Sequence, residues 1–308
     1  MPKNDQKPSE DELMAIIMHT SRIVWQNELP RKHLEEWLSN FTGKVFSKDK
    51  ERFLALWLLT HFTYYNQNEV THLCKVVYYD LIHHILSNNS TSGTNPVDTV
   101  KEFFLRTNII PAEQVSGSGG FISYFFRHIN KLPMSMFNFS IDNVSGGVEN
   151  VILIDDVSLT VGGTGQMYQF LDKTVPKYSN KKFLLLTLIS SKDSIEELRS
   201  TFGVEVITAI TLDARDKCFN NDSNAFSQFA DMRTDCRQFA EFYGDTIRVG
   251  NVGPLGFENG EYAFGFFYNT PDNTLPIFWA QVNGWQPIVR RFHKNYGARN
   301  YLKDERFI

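Results

Sequence analysis

The residues best placed to do chemistry are Asp155 and Asp156, which follow the apolar run Val151-Ile152-Leu153-Ile154 and precede Gly162-Gly163-Thr164-Gly165. Four successive apolar residues suit a strand buried on both faces. Two carboxylates at its carboxyl end would stand where parallel α/β sheets bind ligands. Adjacent aspartates cannot both enter a core without heavy desolvation, so at least one must face a polar ligand, a metal or water. Vicinal ribose hydroxyls are donors that carboxylates can accept from. Seven to ten residues after Asp155, the glycines of 162–165 let backbone approach a ligand closely. A helix expected from Thr164 would offer unpaired N–H groups to a phosphate. The two halves together describe a site for a phosphorylated ribose. Either half alone would more often close an ordinary turn, so the order of strand, acids and glycines carries the reading.

A second glycine run, Ser116-Gly117-Ser118-Gly119-Gly120, falls between a strand expected over 108–115 and a helix expected over 121–130. Its small side chains would permit backbone to meet a phosphate, although such a run in isolation is a flexible turn. Phe121, Tyr124, Phe125 and Phe126 read mainly as packing.

Elements that would position these residues follow from periodicity. Helical spacing of apolar residues from Leu13 to Leu59 predicts several N-terminal helices, with Pro30 opening one and Ser47 capping the next; a further helix is expected over 69–86. The small polar stretch Ser87 to Pro96 reads as a linker, which divides the chain into a helical extension, 1–96, and an α/β domain, 97–308. In the latter, helix 97–106 and strand 108–115 are followed by strand 150–154, helix 164–174, strand 183–189, helix 193–201 and strand 204–210. Alternation of this kind predicts a mainly parallel sheet covered on both faces. A helix over 224–243, a strand over 262–268 and a turn-rich loop, Asn269 to Pro276, complete the expectation. That loop reads first as a rigid brace for the last strand, and second as a pocket wall with Trp279 and Trp285 stacking on a base.

Composition narrows the function classes. The chain has 308 residues, 42% of them hydrophobic, enough for a substantial core, and a formal net charge of -4, which argues against a whole-protein grip on nucleic acid. Three cysteines without close pairing suggest neither a disulfide framework nor a CxxC metal site, and fit a reducing cytoplasm. The polar N-terminus lacks an export signal's apolar run, and the longest apolar runs fall far short of the roughly 20 residues that span a bilayer. No membrane partner is expected. Basic residues from Arg290 to Arg306, interleaved with Phe292, Tyr296 and Tyr301, would suit phosphate backbones, but Asp304 and Glu305 dilute them. His83 and His84 read as ordinary helix residues.

Apolar strand, two acids and a threonine- and glycine-rich loop together resemble the 5-phosphoribosyl 1-pyrophosphate (PRPP) signature of type I phosphoribosyltransferases. By that resemblance Asp155 and Asp156 contact the ribose hydroxyls and a Mg2+ ion, Val161, Gly162, Gly163, Thr164 and Gly165 wrap the 5′-phosphate, and Ser116, Gly117, Ser118 and Gly119 meet the pyrophosphate. The stretch Val157 to Val161 is slightly longer than in common biosynthetic members. The segment Phe139 to Asn150, where such enzymes carry a mobile and often basic hood, holds Asp142 and Glu149 but no Lys or Arg. Glu36-Trp37-Leu38-Ser39-Asn40-Phe41 and the segment Asn269 to Trp279 look like the PRTase-CE family, phosphoribosyltransferase-like proteins of bacterial conflict and antiphage systems. The resemblance implies a type I phosphoribosyltransferase-like α/β fold with an N-terminal helical extension. It also implies an effector or toxin role, with PRPP or a nucleotide as ligand and a defence-system protein or nucleic acid as partner. An enzyme acting at the ribose anomeric carbon and a non-catalytic nucleotide sensor are both compatible with it.

Overall fold

The computed structural model describes residues 7–26, 29–89, 93–112, 117–289 and 291. The chain divides into two compact units, one of Met1–Asn66 with Arg215–Ile308 and the other of Gln67–Ala214. This is not the division at residue 96 read from composition: the linker stretch joins two helices of the second unit, and the chain's two ends share the first.

The first unit begins with α1 (Glu10–Ile23), α2 (Arg31–Leu38), α3 (Lys48–Thr60) and the short strand β1 (Thr63–Tyr65). Ser9 and Glu12 close a capping box on α1, each bonding the other's backbone amide, at 3.2 and 2.7 Å. Ser47 caps α3 as expected, accepting from the Lys50 amide at 3.4 Å.

The second unit holds the sheet. Its elements are α4 (Gln67–Asn89), α5 (Pro96–Leu105), β2 (Thr107–Pro111), α6 (Ser118–Ile129), β3 (Asn150–Ser158), α7 (Gln166–Lys177), β4 (Lys182–Ser191), α8 (Lys192–Phe202) and β5 (Glu205–Leu212). The four strands pair in the order β2-β3-β4-β5, all parallel. Leu171 of α7 and Leu198 of α8 pack with Val151, Leu153 and Leu185 on one face, and α4 and α6 cover the other. The α/β class with helices on both faces therefore stands as expected. After α6 the chain passes outside β2, where Phe137 bridges Ile109 in parallel and the Asn138 amide bonds the Ile109 carbonyl at 3.0 Å. It then returns to form β3. From β2 the chain winds outward one way, and from β3 through β4 to β5 it winds the other. The strand order thus reverses between β2 and β3, and such a switch point opens a crevice at the carboxyl ends of the strands.

The chain returns to the first unit with α9 (Arg233–Ile247), β6 (Phe264–Phe266) and α10 (Pro276–Trp279). The helix expected over 224–243 is two short 3-10 turns followed by α9, because Ser223 caps the first turn and the chain must bend before Arg233. β6 pairs parallel with β1. The N-terminal helices are buried against this segment: the Trp37 indole donates to the Ile277 carbonyl at 2.8 Å, and the Phe41 ring lies 4.9 Å from Phe239. Glu51 is fully buried, its carboxylate accepting from Gly43, Val45 and Phe46 amides and the Tyr243 hydroxyl. The Asn269 to Pro276 loop is a brace. Thr274 bonds the Phe264 carbonyl at 2.7 Å, the Trp279 indole bonds the Thr274 carbonyl at 2.8 Å, and Arg291 pairs with Asp272 at 3.1 Å while covering the Trp279 ring. Trp279 is fully buried and Trp285 packs on Phe41 and Tyr243, so both rings serve packing within this unit.

Candidate functional site

The acid pair and both glycine runs gather at the carboxyl ends of β2 and β3. β3 does not stop at Ile154: its pairing with β4 continues through Asp155↔Thr187 to Ser158↔Ser190, so the aspartates lie inside the strand, near its end, and not beyond it. Both are buried, at 6% and 4% exposure. Local bonds orient both acids. One oxygen of Asp155 accepts the Asp156 amide and one oxygen of Asp156 accepts the Val157 amide, each at 2.9 Å. A carboxylate accepting from a backbone amide makes a charge-assisted bond that fixes its orientation.

Around the pair the sheet ends in hydroxyls. Thr187 and Ser190 meet at 2.6 Å, and Ser158 meets Ser194 of α8 at 2.8 Å, all of them buried. Two side chains three residues apart on a flat strand stand about 10 Å apart, so β4 bends at this point. The bend and the hydroxyl cluster separate the apolar core from the loop above it.

The loop is closed by specific bonds. Ser191 donates to the Leu159 carbonyl at 3.3 Å, the Gly165 amide to the Gly162 carbonyl at 3.2 Å, and the Gln169 side chain to the Gly163 carbonyl at 3.0 Å. Gly162 has φ +89°, a conformation that side chains disfavour, so glycine is needed there. Its amide points at the Glu197 carboxylate of α8, at 2.9 and 2.8 Å from the two oxygens. Val161, Gly163 and Thr164 are exposed. α7 begins at Gln166, two residues later than expected, with Gly165 as an N-cap that supplies no side-chain bond. The loop's own turn bond delays the helix.

On the neighbouring strand the Ala112 amide bonds the Ile154 carbonyl at 3.0 Å, which carries the β2 exit alongside the acids. Ser116 lies outside the described residues. Gly117 is the N-cap of α6, again without a side-chain bond, and Ser118, Gly119 and Gly120 form the helix's first turn, earlier than the start expected at Phe121. Gly119 is buried. Two helices, α6 and α7, thus start just beyond adjacent parallel strands, each behind an N-cap glycine that supplies no side-chain bond, an arrangement suited to anions. Among the described residues no three His, Cys, Asp or Glu side chains form a group that could hold a metal. Asp155 and Asp156 fit a Mg2+ that arrives with phosphate oxygens and water, the usual mode for that ion, and not a protein-only cage.

Glu197 was not singled out in the sequence. In Ile195-Glu196-Glu197 it is indistinguishable from a solvated helix acid, and only the loop folding back onto α8 reveals its partner. The segment aligned with a hood is tied down: Asp142 bonds Lys177 at 2.8 Å and the Tyr178 hydroxyl at 2.6 Å, and Lys181 bonds the Val148 carbonyl at 2.7 Å. His83 is exposed and His84 half-buried. Of the basic tail, Arg291 alone is described, and it is engaged with Asp272.

The family model described as PRTase-CE matches residues 34–291. Among solved structures, the crystal structure of orotate phosphoribosyltransferase from Aeropyrum pernix is similar at 18% identity over 44% of this chain and 70% of that chain, with a TM-score of 0.26. No curated protein matches the chain. No helix among the described residues is long and apolar enough to cross a membrane.

Proposed function

We propose, on the premise that the chain belongs to the PRTase-CE family, that the second unit binds PRPP or a nucleotide at the carboxyl ends of β2 and β3. The observation that supports this is the pair of buried, amide-fixed aspartates on β3 running directly into a glycine loop and into α7, whose N-cap is Gly165. Asp155 and Asp156 would accept from the ribose hydroxyls. Val161 to Gly165 and the first amides of α7 would hold the 5′-phosphate. Gly117 to Gly119 at the start of α6, with Ser116 beside them, would meet a second phosphate or the pyrophosphate leaving group.

The reaction this arrangement suits is displacement at the anomeric carbon. The bond from that carbon to its leaving group breaks with the electron pair going to the leaving group, and an acceptor or water forms the new bond. Positive charge develops on the ribosyl ring, and carboxylates already oriented by backbone amides stabilise it without reorganising. A bound Mg2+ would supply charge neutralisation to the departing phosphates. The biological role that accompanies the resemblance is that of an effector in antiphage defence, acting with a partner protein or nucleic acid.

A second reading, nucleotide sensing without turnover, is favoured by the segment between α6 and β3. Its stretch Phe139 to Asn150 holds no Lys or Arg, and its Asp142 is held by Lys177 and Tyr178. An untargeted metabolite comparison of cells with and without the expressed protein separates the two. Loss of PRPP or of one nucleotide, with appearance of its base or ribosylated product, supports catalysis. An unchanged pool together with measurable nucleotide binding supports sensing.

A further inference from the structure

We propose that Glu197 is a specificity-determining residue for the glycine loop, admitting a phosphodiester or diphosphate linkage, with one negative charge per phosphorus, ahead of a terminal phosphomonoester. This rests on the phosphoribose reading given above and narrows the class of ligand. The Gly162 amide, in a backbone conformation that glycine alone takes readily, is aimed at both oxygens of the Glu197 carboxylate, at 2.9 and 2.8 Å. An amide held by a carboxylate is an anion-binding group whose occupant is part of the protein. A phosphate entering the loop must either take that amide from Glu197 or sit beside it.

Among the described residues no cation pairs with the charge of Glu197. Its neighbour Glu196 pairs with Lys192 at 3.9 Å, whereas none of the ion pairs among the described residues includes Glu197. Both it and Gly162 are half-buried, so solvent screens the repulsion incompletely. A phosphomonoester carries close to two negative charges at neutral pH and a phosphodiester carries one. The second charge of the monoester meets Glu197 with nothing else to pair with, whereas the diester brings only the charge that the loop amides and the α7 terminus can hold. Ligands in which the 5′-phosphate is bridged, as in a dinucleotide, are therefore favoured over free 5′-monophosphates and over PRPP, whose 5′-phosphate is also a monoester, so of the two ligand classes proposed above the nucleotide is preferred. The discrimination expected from one additional charge at this range is on the order of tenfold in affinity.

The test compares ribose 5-phosphate with its monomethyl phosphate ester, which differ in charge and share the sugar, so the identity of the base does not matter. Binding of each is followed by 31P NMR titration at pH 7.5 on the full chain, as wild type, E197Q and D155N. Wild type is expected to bind the methyl ester about tenfold more tightly. In E197Q, where the side chain still reaches the amide but carries no charge, that preference should fall to about twofold or reverse, through tighter binding of ribose 5-phosphate. D155N should weaken both ligands equally. A wild-type preference for ribose 5-phosphate, or an unchanged ratio in E197Q, overturns the role of Glu197. If neither ligand binds, or if D155N leaves both affinities intact, the phosphoribose reading itself fails and this inference fails with it.

Discussion

Replacing Glu51 by glutamine tests how the first unit is held together. Glu51 is fully buried, and its two oxygens divide four donors: the Gly43 amide at 2.6 Å and the Tyr243 hydroxyl at 2.6 Å on one, the Val45 amide at 2.7 Å and the Phe46 amide at 3.1 Å on the other. A glutamine keeps one carbonyl oxygen, which can serve Val45 and Phe46. Its NH2 group then faces Gly43 and Tyr243. The hydroxyl can rotate to accept, but the Gly43 amide is left without a partner, at a cost of about 1–3 kcal/mol, and the remaining bonds lose their charge. The expected loss is about 2–4 kcal/mol, a large part of a typical domain's stability. All five tryptophans, Trp25, Trp37, Trp57, Trp279 and Trp285, belong to this unit, so their fluorescence reports its unfolding. With a urea slope of about 2 kcal/mol per M, the midpoint should fall by roughly 1–2 M. The pH dependence adds a check. Burial raises the Glu51 pKa, but the bonds from Tyr243, Val45, Phe46 and Gly43 outweigh it and hold the group below its ordinary 4.5. The carboxylate's contribution is therefore complete above pH 4.5 and is lost as pH falls through the lowered folded value. The gap between wild type and E51Q should narrow in that acid range. A midpoint shift under about 0.3 M, or a gap independent of pH, would refute the reasoning.

Trp57→Phe should leave stability unchanged or raise it by up to about 1 kcal/mol, since the buried Trp57 Nε1 has no hydrogen-bond partner among the described residues and its removal lifts a desolvation cost; a thermal melt showing a loss above about 2 kcal/mol would contradict this. Cys74, Cys218 and Cys236 are all buried and unpaired, and burial pushes the first two up to about 12 and the third higher still. None should react with a thiol-disulfide reagent at pH 8 until the chain is unfolded, and a thiol that titrates within seconds in the native protein would show that its site opens.

The sheet was legible because its strands are short apolar runs whose neighbours repeat at helical spacing, and Phe183 to Ile189 could be little else. Ends were less so. Asp155 and Asp156 look like residues that terminate a strand, yet each satisfies the next amide, which lets the ladder continue to Ser158. Gly165 looks like a residue inside a helix, but its turn bond to Gly162 delays α7. Pairings distant in sequence left no local trace. Glu51 reads as a first-turn acid in water, and only Tyr243, 192 positions away, makes it a buried anchor. The union of the chain's two ends in one unit has the same origin, because Trp37 and Ile277 each look like any core residue until they meet. Glu197 is the instance that matters for function.

The central claim is that Asp155 and Asp156 form the ribose end of a phosphoribose site, and a calorimetric titration of the Asp155→Asn, Asp156→Asn double variant tests it most directly. PRPP with Mg2+ and a diphosphate-bridged dinucleotide serve as ligands. Asparagine retains an oxygen for the Asp156 and Val157 amides, so the variant should melt within about 2 °C of wild type, while loss of the two charges facing the ribose removes about 3 kcal/mol of binding. The expected result is a drop of at least about a hundredfold in affinity for whichever ligand wild type binds. A variant that melts like wild type and binds that ligand with undiminished affinity would contradict the assignment.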